Sequence, residues 1–289
     1  MFAIAIQQEQ YKTYFLSDQA AQSQIEVVPE RGGIVTRWQF QGHDIFYLDE
    51  ARFTNPELTV RGGIPILFPI CGNLPDNTYT HKGQVYTLKQ HGFAREMPWE
   101  VVDQGTEDSA SLSLQLTSNE QTRAVYPFDF QVVFTYKLHG NSLELHQRFT
   151  NHSSDPMPFS TGLHPYFAVA DKSQLQLDIP GTEFFNQQTQ SIETYSGQFD
   201  FEQDEIDAAF RNVTRQTATA TDVNAKFRLT LDYDALYSTV VFWTVKGKDF
   251  YCLEPWTAPR NALNTGDHLT HLDPGATLEA IVKFSIDFL

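Results

Sequence analysis

The feature that most constrains this chain is its period-two alternation. Ser111-Leu112-Ser113-Leu114-Gln115-Leu116 switches regularly between polar and apolar residues, as do Leu143-Glu144-Leu145-His146 and Leu175-Gln176-Leu177-Asp178-Ile179. Successive side chains of a strand point to opposite faces, so the pattern describes strands with one face in a core and one in water. Antiparallel sheets have that character, whereas buried parallel sheets read as continuous apolar runs. Further strands are expected at 33–40, 44–48, 99–103, 130–138, 227–233, 238–244, 249–253 and 277–288. Turn-forming residues separate many of them, among them Gly32-Gly33, His139-Gly140-Asn141, Gly247 and Pro274-Gly275. One short helix is expected near 204–210. No helix-length amphipathic run recurs between strands, which argues against a βαβ architecture.

At roughly 150 residues per domain, a chain of 289 residues would divide in two. No linker, composition break or fixed-period repeat interrupts it, however. The expectation is therefore one domain, 1–289, of the all-β class, built as a large two-sheet antiparallel structure. Aromatics make up 13% of the chain, with 23 Phe and 12 Tyr, an abundance suited to broad β surfaces.

Charge narrows the possible partners. Thirty-six acidic residues against 20 basic ones give a net charge of −16. A field of that sign repels phosphate backbones and anionic lipid, so neither nucleic acid nor a membrane surface is an expected partner. The N-terminal MFAIAIQQEQ has no basic lead, and its apolar stretch stops at Gln7, too short for a secretory signal. No segment approaches the ~20 apolar residues of a membrane span. A soluble cytoplasmic protein is expected. Cys71 and Cys252 are far apart and lack CxxC spacing, so both are expected as buried free thiols.

Four stretches carry more polar chemistry than turns or strands require. Arg61-Gly62-Gly63-Ile64-Pro65-Ile66-Leu67-Phe68-Pro69 combines two permissive glycines with two stiff prolines, as a structural turn or a rigid pocket wall would. Gln90-His91-Gly92-Phe93-Ala94-Arg95 gathers an amide, an imidazole and a guanidinium around one glycine. An arginine among aromatics needs an anion or acceptors, and Glu96 or Glu100 could serve as well as a ligand. In Gly162-Leu163-His164-Pro165-Tyr166-Phe167 a histidine ends a strand within an aromatic loop. In Cys252-Leu253-Glu254-Pro255-Trp256 a carboxylate follows an apolar strand, where it is either desolvated or paired. His139, His146 and His152 read as strand or surface residues. His268 and His271 have HxxH spacing but no evident third ligand, so no metal site is expected. No GxSxG elbow or GxGxxG phosphate loop is present.

In this order the four motifs resemble those of the aldose 1-epimerase (mutarotase) superfamily, particularly its glucose-6-phosphate 1-epimerase-like branch. GLHPYF is also similar to aldose epimerases of the lactose-operon type. The resemblance implies a β-supersandwich and a cofactor-free, metal-free interconversion of α and β anomers through the open-chain aldehyde. It implies Glu254 as the base and His164 as the acid, with His91 and Asp207 holding the sugar. It further implies that Arg61, Gln90 and Arg95 bind a 6-phosphate. The expected partner is a small-molecule sugar or sugar phosphate. A non-catalytic carbohydrate-binding protein is the alternative, and the acid–base pair speaks against it, since binding alone needs none.

Overall fold

In the computed structural model, which describes residues 1–211 and 213–289, two large antiparallel sheets carry most of the chain. In hydrogen-bonded order the first comprises Leu175–Asp178, Thr217–Asp222, Phe227–Tyr233, Thr277–Phe288, Ser142–Asn151, Phe130–His139, Ala110–Thr117 and Glu100–Gly105. The second runs through Ser191–Thr194, Glu183–Asn186, Glu205–Phe210, Thr239–Val245, Phe250–Trp256, Gly162–Leu163 and Ile66–Leu67. Its eighth strand, Tyr166–Ala168, also pairs with Phe250–Trp256. A separate five-stranded sheet, from Phe2–Gln8 to His43–Asp44, adds a layer that the sequence reading had not distinguished.

The alternation translates directly into burial. Leu112, Leu114 and Leu116 face the core, and their strand pairs in unbroken register with Phe130–His139. That strand turns through Gly140, at φ +58°, into Ser142–Asn151, matching Phe130 to Asn151 at one end and His139 to Ser142 at the other. A two-residue loop with a left-handed glycine suits the right-handed twist of a tight hairpin.

Aromatic packing holds the two sheets together. Phe68, just past Ile66–Leu67, meets Phe130 at 5.2 Å and Phe149 at 5.9 Å between ring centroids, both from the first sheet. Phe167 of the second sheet likewise meets Phe284 of the first at 5.7 Å. Cys71 and Cys252 are buried free thiols, as expected.

Two local expectations fail. Residues 204–210 are not helical: Glu205–Phe210 is an interior strand between Glu183–Asn186 and Thr239–Val245. Ala208 and Ala209 favour a helix by only tenths of a kcal/mol each, and a six-pair ladder with Thr239–Val245 overrides that preference. The strand expected at 44–48 shrinks to His43–Asp44, followed by isolated bridges from Phe46 to Phe167 and Leu48 to Gly62. Among the described residues, no helix is long and apolar enough to cross a membrane.

Candidate active site

Register in the second sheet aligns a row of side chains across four strands: Asp207 opposite Trp243, Trp243 opposite Cys252, and Cys252 opposite Tyr166. Because side chains alternate along a strand, Glu254 and Trp256 share the face of Cys252, and Glu205 shares that of Asp207. This face floors a cavity of about 410 Å³, walled by Arg61 and Val60 before the GGIP turn and by Gln90, His91 and Arg95 of the HGFAR loop. His164 and Tyr166 line it as well. All seven residues singled out in the sequence, Arg61, Gln90, His91, Arg95, His164, Asp207 and Glu254, thus border one cavity.

Glu254 and His164 meet at the floor. Glu254 Oε1 lies 3.5 Å from His164 Nε2, and Glu254 Oε2 accepts a hydrogen bond from Trp256 Nε1 at 3.1 Å. The residues are 1% and 8% exposed, and His164 Nδ1 has no partner. Burial drives the Glu254 carboxyl well above the usual carboxylate range, and the charge of Asp207 adds to the effect. Burial also drives the His164 imidazole down to about 3, with the Arg95 guanidinium contributing. Both shifts favour the neutral pair. Tyr166 stacks on His164, with centroids 4.8 Å apart, and fixes the plane of the ring.

His91 is held by its neighbours in one tautomer. The backbone N–H of Gly72 donates to His91 Nδ1 at 3.0 Å, which leaves the proton on Nε2. Burial and the Arg95 charge lower its basicity further, so it remains a neutral donor. The loop needs its glycine: Gly92 has φ +70°, and a Cβ there would lie 2.2 Å from the carbonyl oxygen of Phe68.

The charged wall combines paired and unpaired groups. Arg260 donates through Nη2 to Asp207 Oδ2 at 2.6 Å and through Nη1 to Asn73 Oδ1 at 3.1 Å. Asp207 Oδ1 is left buried without a partner. Burial raises the Asp207 pKa, and the nearby Arg260 opposes that rise. By contrast, among the described residues no carboxylate lies at ion-pair distance from Arg52, Arg61 or Arg95. Glu96, considered above as a partner for Arg95, pairs instead with Lys89 at 3.4 Å. Arg95 Nη2 donates to the Gln90 carbonyl at 2.9 Å, and its buried Nε has no partner. Arg61 lies on the Trp243 ring, 5.8 Å from its centroid, and Trp243 Nε1 donates to Glu205 Oε1 at 2.6 Å. Guanidiniums without carboxylates on a cavity wall are positioned to take an anion.

Sequence reasoning assigned no role to Arg52, Glu205, Trp243 or Arg260, although all four line the cavity. Arg260 lies six residues after Glu254 and could have been noticed there. The other three are brought in by strand pairing or by a short helix, Glu50–Thr54, with no local signal. His139 and His146 are outside the cavity lining; His146 Nε2 pairs with Glu144 at 2.9 Å.

This fold and cavity define a mutarotase-like protein, and residues 16–285 match the family described as aldose 1-epimerase. The chain belongs to that family. It is similar to the Slr1438 protein of Synechocystis sp. PCC 6803, whose crystal structure superposes with a TM-score of 0.96 at 44% identity over 100% of both chains. A galactose mutarotase-like protein from Clostridium acetobutylicum shares the fold at TM-score 0.84 and 19% identity, over 100% of this chain and 99% of that one. A Cenchrus ciliaris protein named "Putative glucose-6-phosphate 1-epimerase" is 30% identical over 157 residues, 51% of this chain and 44% of that protein. The match thus spans less than half of the Cenchrus protein.

Proposed function

We propose that the protein, acting as one domain over 1–289, interconverts the α and β anomers of a hexose 6-phosphate by acid–base ring opening. One observation carries the reading: a buried carboxylate–imidazole contact of 3.5 Å lies in a cavity that also presents guanidiniums without carboxylate partners. Glu254 takes the proton of the C1 hydroxyl as the C1–O5 bond breaks, and the His164 imidazolium protonates O5. The aldehyde rotates about C1–C2. Ring closure on the other face returns both protons, so the pair carries one transferable proton throughout and the reaction is balanced. Ring opening consumes the ionised pair and leaves the neutral one, the state that burial favours. His91 Nε2–H and the free Asp207 Oδ1 are suited to hold sugar hydroxyls.

In this reading Arg61, Gln90 and Arg95, together with Arg52, hold the phosphate; all four line the cavity. Phosphate binding also serves the chemistry. Arg95 and Arg61 are among the charges that depress His164, and an anion neutralising them restores basicity to the imidazole. The family and the named relatives support an epimerase, and the arginines favour a phosphorylated substrate over a neutral aldose.

Measuring kcat/KM for glucose and glucose 6-phosphate in wild type, Arg61→Ala and Arg95→Ala tests this choice. Each charge-assisted hydrogen bond contributes about 1.5–3 kcal/mol, so each variant should lose roughly 10- to 150-fold on the phosphate and little on glucose. Equal proportional losses on both sugars in folded variants would exclude the phosphate clasp.

A further inference from the structure

Cys252 takes no part in the anomerisation proposed above and is not among the residues that line the cavity, yet it lies against two that do. It precedes Glu254 by two residues on Phe250–Trp256 and so shares its face. The Cys252 sulfur, a ring nitrogen of His164 and a carboxylate oxygen of Glu254 all lie within 4.8 Å of one another. Cys252 is 0% exposed, Glu254 1% and His164 8%, and the Nδ1 of that buried imidazole is without a partner. No other group of three such donors occurs among the described residues.

We propose that His164, Cys252 and Glu254 form a three-donor site for a thiophilic divalent cation of the zinc class, whose binding switches the enzyme off. The regulatory part rests on the reading of Glu254 and His164 as the acid–base pair. A sulfur, a nitrogen and an oxygen are the donor types zinc accepts, with bonds of about 2.0–2.3 Å, and three protein ligands leave a fourth position open to the cavity. Bonds of that length in tetrahedral geometry place the donors roughly 3.3–3.8 Å apart, so side-chain rotations of about an ångström close the site. Charge does not forbid it, although Arg61, Arg95 and Arg260 stand nearby. The cation displaces the thiol proton and the single proton shared by Glu254 and His164. A dication enters as two protons leave, and the net charge of the site is unchanged. The metal then occupies the lone pairs that proton transfer requires.

Zinc and cobalt titrations of the full chain, freed of chelators, test the proposal. Bound cobalt should give a thiolate-to-metal charge-transfer band in the near ultraviolet. Zinc should stop anomer exchange, and a chelator should restore it. Cys252→Ala and Cys252→Ser should exchange anomers normally without metal and lose the band. They should need at least about tenfold more zinc for inhibition, since losing even an outer partner of a ligand costs that much affinity. Absence of the band in the wild type overturns the site and needs no variant to fold. A band retained in both variants, or unchanged zinc inhibition, overturns it equally. A protein that shows the band but never exchanges anomers would keep the metal site and refute the epimerase reading instead.

Discussion

In the proposed mechanism Glu254 and His164 share one proton, and their surroundings decide where it rests. Desolvation raises the one and lowers the other, leaving the neutral form at rest. Arg95 and Arg260 lower the proton affinity of both residues, and Arg61 lowers that of His164. A phosphate held on Arg61 and Arg95 offsets part of this charge, so the pair keeps its proton to higher pH. The alkaline limb of kcat, an apparent property of the pair, should therefore lie at higher pH for glucose 6-phosphate than for glucose. Saturating rates across pH with both sugars would check it, and a limb that coincides or moves down contradicts the argument. If His164 is the acid, as proposed, its removal should be far costlier than that of a remote imidazole. His164→Ala should lose roughly 10²–10⁴-fold in exchange rate, with His139→Ala and His146→Ala near wild type. Similar losses in all three would displace His164 from its role. The residues legible in the sequence were those inside compact motifs, where His91 and Arg95 or Glu254 and Trp256 stand a few positions apart. Trp243 and Glu205 were not, because their place depends on a register between distant strands.

At the scale of elements, Gly72 joins two parts of the site. Its N–H fixes the His91 tautomer, and its missing Cβ makes room for the stem of Arg260, which orients Asp207. A Cβ on Gly72 would fall 2.2 Å from Arg260 Cγ, at φ +70°. Gly72→Ala should thus cost about 1–3 kcal/mol of stability through strain and raise KM for both sugars by displacing Arg260. Gly83→Ala is the control: its φ is +81° with nothing within 4 Å, so it should carry backbone strain but unchanged KM. Thermal melts and steady-state kinetics of the two variants distinguish these effects, and an unaltered KM in Gly72→Ala would break the link. The strands themselves were legible wherever buried and more exposed residues alternate, as in Phe227–Tyr233. Glu205–Phe210 was misread because it is buried on both faces, which erases the alternation and leaves only the helical preference of its alanines.

For the molecule as a whole, a surface field of −16 surrounds a cavity lined by four arginines. In the proposed reading the distant field slows an approaching dianion and the guanidiniums capture it on contact, so the net charge alone points away from the ligand proposed for the cavity. The supersandwich frame followed from alternation and motif order. The separate N-terminal sheet did not: no strand is expected before residue 33, and Phe2–Gln8 lacks the alternation of buried and exposed residues. All of this frame converges on one chemical claim: a carboxylate and an imidazole, buried together, open and close a sugar ring. Exchange NMR of glucose 6-phosphate anomers with wild type and Glu254→Gln tests it most directly. Gln keeps the size and the Trp256 hydrogen bond but cannot accept the C1 proton. The account predicts catalysed exchange in the wild type, none above background in Glu254→Gln, and sugar affinity within a few fold. Exchange at near-wild-type rate in the variant would contradict it.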